Sequence, residues 1–137
     1  MTQKRIRQLL RQWFRNDLMG VPGDEDGGGM SAFVAFSMLG FYPVTPGMPV
    51  YNIGSPKFEH AVINLPDGKT FEIVAENCSD DNKYIQKATL NGQEWNKPWF
   101  AHEDLINGGK LVLVMGDKAN KEWGTGVGAF PPSASNI

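Results

Sequence analysis

Apolar residues recur at helical spacing early in this chain and at strand spacing later. The change falls near Pro43-Val44-Thr45-Pro46-Gly47. Ile6, Leu9, Leu10 and Trp13 stand at i, i+3, i+4 and i+7, which predicts a helix that Thr2 caps and that ends around Asn16-Asp17. Lys4, Arg5, Arg7, Arg11 and Arg15 cover the rest of it, interleaved with Gln3, Gln8 and Gln12, and are expected to form a solvated outer face. Gly20-Val21-Pro22-Gly23 makes the following turn. A second helix, over about residues 30–39, is apolar nearly all round (Met30, Ala32, Phe33, Val34, Ala35, Phe36, Met38, Leu39), with Gly40 suited to its C-terminal cap. One amphipathic partner cannot cover such a helix, so it belongs inside a larger helical assembly.

After Pro46 the pattern predicts short strands near residues 50–53, 58–65, 70–76, 84–90, 93–95 and 111–115. Phe71, Ile73 and Ala75 alternate with Thr70, Glu72 and Val74. Leu65-Pro66-Asp67-Gly68-Lys69 reads as a hairpin turn and Asn91-Gly92 as a tighter one. Leu111 to Met115 is a continuous apolar run, suited to a strand buried on both faces. His102-Glu103-Asp104 opens a single helical turn ending at Asn107-Gly108. The predicted fold class is α+β: two helices followed by an antiparallel sheet or small sandwich. Gly124 to Ile137 is Gly, Pro, Ser and Ala with few anchors, and is expected to hang loose.

Composition narrows the classes of function. With 137 residues, 41% hydrophobic and 20% charged, the chain has the make-up of one globular domain. A net charge of −2 gives no electrostatic footprint for nucleic acid, and no apolar run is long enough to span a membrane. No uninterrupted apolar segment follows the basic start, so no secretory signal is expected within this stretch. The single cysteine, Cys78, reads as a half-buried structural thiol at the end of a strand.

The candidate chemistry lies in Gly23-Asp24-Glu25-Asp26-Gly27-Gly28-Gly29, where three carboxylates stand at the mouth of the second helix with glycines behind them. Asp24 and Asp26, at i and i+2, can converge on one site with Glu25 facing away. One of them would then take a proton from water while the other holds that water in place. The bland alternative is that one acid caps the helix and the others are solvated. An EF-hand fails, because the twelfth position counted from Asp24 is Ala35 instead of a glutamate, which leaves at most a partial calcium contribution. His102-Glu103 begins like a zincin helix, but Ile106 stands where the second histidine would be, and His60 is the only other histidine. Trp95, Trp99, Phe100 and Trp123 offer either a sugar-stacking platform or core aromatics. No Ser/His/Asp order, P-loop or dinucleotide fingerprint is present.

The run from Thr2-Gln3-Lys4 through Asp17-Leu18-Met19-Gly20-Val21-Pro22-Gly23-Asp24-Glu25-Asp26-Gly27-Gly28-Gly29-Met30-Ser31-Ala32-Phe33 resembles the closing part of the catalytic domain of glycoside hydrolase family 92. Met38-Leu39-Gly40-Phe41-Tyr42-Pro43-Val44-Thr45-Pro46-Gly47, Tyr51-Asn52-Ile53-Gly54-Ser55-Pro56, Leu90-Asn91-Gly92, His102-Glu103-Asp104 and Asn120-Lys121-Glu122-Trp123-Gly124 are similar too, in order. These are calcium-dependent, exo-acting α-mannosidases. The resemblance implies an inverting, α-1,2-mannosidase-like reaction on mannose-containing glycans, with Asp24 and Asp26 as the general base or its support. It implies that residues 1–47 are the last helices and base-bearing loop of an (α/α)6 toroid, that 48–124 form a β-sandwich-like module, and that 125–137 are a flexible tail. The general acid, most calcium ligands and most mannose contacts would lie upstream, so the isolated chain would turn over little or nothing. The helix over 30–39 would dock on the remainder of the catalytic domain or self-associate, and family members are typically exported to the periplasm or beyond. The rival expectation is a non-catalytic β-sandwich that binds carbohydrate or a protein partner.

Overall fold

The computed structural model describes residues 1–23, 27–133 and 135. Helix α1 spans Thr2–Trp13 and α2 spans Gly29–Leu39. Thr2 is the first helical residue instead of the cap; Met1 holds that position without a side-chain bond. The helix also stops short of Asn16-Asp17, because Phe14 is already extended at φ −112° and ψ 117°. At the other end of α2 the expected cap forms. Gly40 turns left-handed at φ 94° and its N–H donates to the Phe36 carbonyl at 3.0 Å. A Cβ there would stand 2.5 Å from the Pro56 ring, so this close approach admits only glycine.

Beyond α2 run β1 (Phe41–Tyr42), β2 (Val50–Ile53), β3 (His60–Asn64), β4 (Thr70–Glu76), β5 (Tyr84–Leu90), β6 (Gln93–Glu94) and β7 (Trp99–Ala101). Helix α3 (His102–Ile106) and β8 (Gly109–Gly116) complete the order. Strands β1-β2-β7 make one antiparallel sheet and β3-β4-β8-β5-β6 a second. The fold is therefore α+β. One pairing departs from the antiparallel expectation: β4 and β8 run parallel, from Phe71 opposite Gly109 to Glu76 opposite Val114. The intervening β5, β6, β7 and α3 supply the long return that a parallel neighbour requires.

Leu111, Leu113 and Met115 of β8 are buried, whereas Val112 and Val114 are only half-buried, so the central strand alternates and is not enclosed on both faces. Phe71, Ile73, Ile85, Phe100, Leu111 and Leu113 form the deepest part of the core. Each such side chain contributes about 1.5–3 kcal/mol on burial, and the sheet half therefore carries most of the hydrophobic stabilisation. The two turns form as their residues require. Asp67 and Gly68 are left-handed at φ 65° and 72°, and Asn91-Gly92, at φ 52° and 79°, closes a two-residue hairpin. The Asn91 side-chain oxygen also accepts the Lys110 N–H at 2.8 Å, tying that hairpin to β8.

The helices meet the sheets through a buried cation. Arg7, expected on a solvated face, has a side chain only 6% exposed. Its guanidinium donates to the carbonyls of Pro56 and of Ser79, the latter at 2.6 Å. Cys78 Sγ lies 3.8 Å away and itself donates to the Pro56 carbonyl at 3.3 Å. The helical periodicity counted Arg7 as outward because it recorded only apolar residues. The inward pull comes from carbonyls that this geometry leaves facing α1. By contrast Leu9, Trp13, Leu18 and Met19 stand exposed, and the single buried residue of α2 is Ser37. No helix among the described residues is long and apolar enough to cross a membrane.

Candidate functional site

Asp24 and Asp26 lie outside the described residues, as does Glu25. What the structure gives is the frame on either side of them. Gly23, Gly27 and Gly28 all adopt left-handed backbone, at φ 77°, 67° and 80°. Side chains there would be strained, which is the physical reason for glycine at these positions. Among the described residues no atom lies within 4 Å of where a Cβ would sit on Gly23, Gly27 or Gly29, so the flanks are open. The N-cap position of α2 is Gly28, so none of the three acids occupies it.

Upstream, the chain is held in a tight reversal. The Arg15 N–H donates to the Gly20 carbonyl at 2.9 Å, and the Gly20 N–H returns to the Asp17 carbonyl at 3.0 Å. The Asp17 carboxylate accepts the Met19 N–H at 3.0 Å. A Cβ on Gly20 would fall 1.7 Å from the Arg15 carbonyl oxygen, so the reversal depends on that glycine. Phe14, just past α1, and Phe33, in α2, meet with ring centroids 5.8 Å apart and clamp the two ends of the segment that carries the acids.

From Phe33 an aromatic series continues through Tyr42, Phe36, Phe41 and Tyr51 to Phe100 and Phe71, each ring 5.1–5.9 Å from the next along that path. It is a stiff connection from the acid-bearing segment to the deepest core. In the sequence Phe33 and Phe36 are generic apolar residues; the interval of nine between Phe33 and Tyr42 carries no signal of their ring contact. Tyr51 also shares a 2.8 Å hydrogen bond with His102 Nδ1, and burial pushes its hydroxyl above the ordinary tyrosine value.

The tryptophans do not make an open platform. Phe100 is fully buried. The indole N–H groups of Trp95, Trp99 and Trp123 donate to the backbone carbonyls of Trp99, Ala129 and Trp95, at 2.8, 3.0 and 2.9 Å. Lys97 sits over both Trp95 and Trp99, its ammonium 5.3 and 5.2 Å from the two ring centroids. The set is a structural knot that also docks Ala129, a residue within the segment expected to hang loose. Among the described residues, no three His, Cys, Asp or Glu side chains stand together as a metal-binding group.

The family model for the "Glycosyl hydrolase family 92 catalytic domain" matches residues 1–117. The chain belongs to glycoside hydrolase family 92. A family 92 inverting mannosidase from Bacteroides thetaiotaomicron shares 43% identity, superposes with a TM-score of 0.91 and is matched over 98% of this chain and 18% of its own. A family 92 α-mannosidase from the same species, solved with mannoimidazole, shares 36% identity at a TM-score of 0.91, over 96% of this chain and 17% of that one. An uncharacterized secreted glycosidase from Arthroderma benhamiae is 41% identical over 136 residues. The chain spans 17% of the length of that fungal relative. Family 92 membership agrees with the resemblance read from the acid–glycine segment and the motifs that follow it.

Proposed function

We propose that this chain is the base-bearing, C-terminal portion of an inverting, exo-acting α-mannosidase that removes terminal mannose from glycans. The observation that carries this reading is the likeness to an inverting mannosidase, at 43% identity over nearly the whole chain. In the proposed reaction Asp24 or Asp26 takes a proton from water as the water oxygen bonds to the anomeric carbon. The glycosidic C–O bond breaks on the opposite face, and its oxygen receives a proton from a general acid. An inverting pair needs about 6.5–9.5 Å between base and acid to admit the water. Neighbours on one short loop are not expected to span that gap, so the acid would come from another segment, which the family resemblance implies lies upstream of this chain.

Calcium, which the family implies, would likewise be held by oxygens mostly outside this chain. The incompletely covered α2 and the exposed Trp13, Leu18 and Met19 suit docking against the remainder of the catalytic domain. In its absence the same surface favours self-association. The secreted relative supports export of the whole enzyme. The test is proton NMR of the longer enzyme hydrolysing an α-mannoside. β-Mannose is expected as the first anomer, before mutarotation, and no turnover is expected from the 137-residue chain alone. First-formed α-mannose, or cleavage by the short chain, would contradict the reading.

A further inference from the structure

A cleft of about 520 Å³ opens between α1 and the chain near Lys57 and Asp80–Lys83. Among the described residues its walls carry Lys4, Arg7, Arg11, Lys57 and Lys83 against a single carboxylate, Asp80. That carboxylate is already engaged. Its Oδ1 lies 2.6 Å from the Lys57 ammonium and 3.5 Å from Arg7, and Lys57 first, then the two arginines, holds it below the ordinary aspartate value. Arg7 is spent on the backbone carbonyls of Pro56 and Ser79. The side chains of Lys4 and Lys83 have no ion-pair or hydrogen-bond partner among the described residues, and Arg11 has only a longer-range attraction to Asp80. Gln12, on the same wall, uses its carbonyl to accept from Gln8 at 3.1 Å and keeps its amide N–H groups available.

This concentration of positive charge is out of step with a chain of net charge −2. Cations gathered in a concave wall repel one another and focus a positive potential into the space between them. A concave site with unpaired cations and amide donors is matched by an oxyanion that accepts several charge-assisted hydrogen bonds at once. The volume also exceeds what a bare ion fills and lies in the range of small-molecule sites, about 300–1,000 Å³. We infer that this cleft is an anion-binding site that takes a tetrahedral oxyanion — a phosphate or sulfate group — with Lys4, Arg11 and Lys83 as its ligands. It does not rest on the mannosidase assignment.

The test is a titration of the 137-residue chain, followed by amide NMR shifts, in about 0.15 M chloride so that diffuse surface attraction is screened. The probes are inorganic phosphate, inorganic sulfate, mannose bearing a phosphate ester, and unmodified mannose as the neutral control. Saturable shifts centred on Arg11 and Lys83 are expected with the charged probes and none with mannose. Tighter binding of the phosphate ester than of both inorganic ions identifies a sugar-borne group as the occupant; equal binding identifies the free ion. The triple variant K4Q/R11Q/K83Q leaves the Arg7 contacts in place and is expected to weaken binding at least about tenfold, with an unchanged melting temperature as the check on folding. Should that variant unfold, the single variants R11Q and K83Q give the same reading. Absence of saturation up to about 50 mM, well above the millimolar range of weak specific binding, would overturn the inference. So would unaltered binding by folded variants.

Discussion

Replacing Asp24 and Asp26 in turn by asparagine in the longer enzyme is expected to lower kcat by about 10²–10⁴-fold for the residue that takes the proton. The partner that positions the water or the base should lose less. Asparagine keeps the shape and removes the basicity, so folding, followed by circular dichroism, should be unchanged in both variants. KM for an aryl α-mannoside is expected to move little, because the lost interaction belongs to the transition state. Wild-type kcat in both variants would remove the base assignment and leave family membership untouched.

The second large effect concerns stability. Arg7→Met is expected to destabilise the chain by about 3 kcal/mol, since each hydrogen bond to a charged group contributes about 1.5–3 kcal/mol and the acceptors are left without their donor. The Ser79 carbonyl loses its Arg7 donor outright, while the Pro56 carbonyl keeps only the Cys78 thiol. The ion pair with Asp80 adds little, because at 3.5 Å it reaches an exposed carboxylate that is already held by Lys57. Methionine fills most of the space of the arginine stem, which isolates the polar loss from a packing loss. Arg7→Lys should recover only part of the difference, since one ammonium cannot serve the divergent carbonyls that two guanidinium nitrogens reach. Urea unfolding measures both variants. A change under about 0.5 kcal/mol, the level of ordinary surface substitutions, would show that Arg7 does not join the helices to the sheet half.

The parts of this fold that were legible in the sequence are those governed by local rules. Strands β2, β4 and β5 lie at the residues that alternation and turn chemistry marked. Gly40 ends α2, and Asn91-Gly92 turns the hairpin, because only a few residue types accept left-handed backbone. The single turn after Ala101 was legible for the same kind of reason: Asp104 reaches back to accept the Ala101 N–H at 2.8 Å. Strands β1 and β7 were not legible. With the prolines at Pro43 and Pro98 beside them, they are too short to show a period, and they exist because β2 pairs with both.

The parallel pairing of β4 with β8 and the burial of Arg7 were hidden for a related reason. Both depend on which distant segments meet, and periodicity along the chain carries no record of that. The candidate site divides along the same line. Its acids and glycines were conspicuous as a composition, whereas the Phe14–Phe33 contact that fixes the ends of the segment is a tertiary fact. The tryptophans show the opposite hazard. A cluster that composition made attractive as a sugar surface uses its indole N–H groups on the chain's own carbonyls.

In the proposed reaction the acid–glycine segment activates the water that attacks mannose. The most direct measurement is a crystal structure of the longer enzyme with a mannose-like inhibitor bound. A carboxylate oxygen of Asp24 or Asp26 is expected within about 2.6–3.2 Å of a water lying beneath the anomeric carbon, on the face away from the leaving group. Both carboxylates out of hydrogen-bond reach of that water, with another residue in contact with it, would assign the base elsewhere in the enzyme.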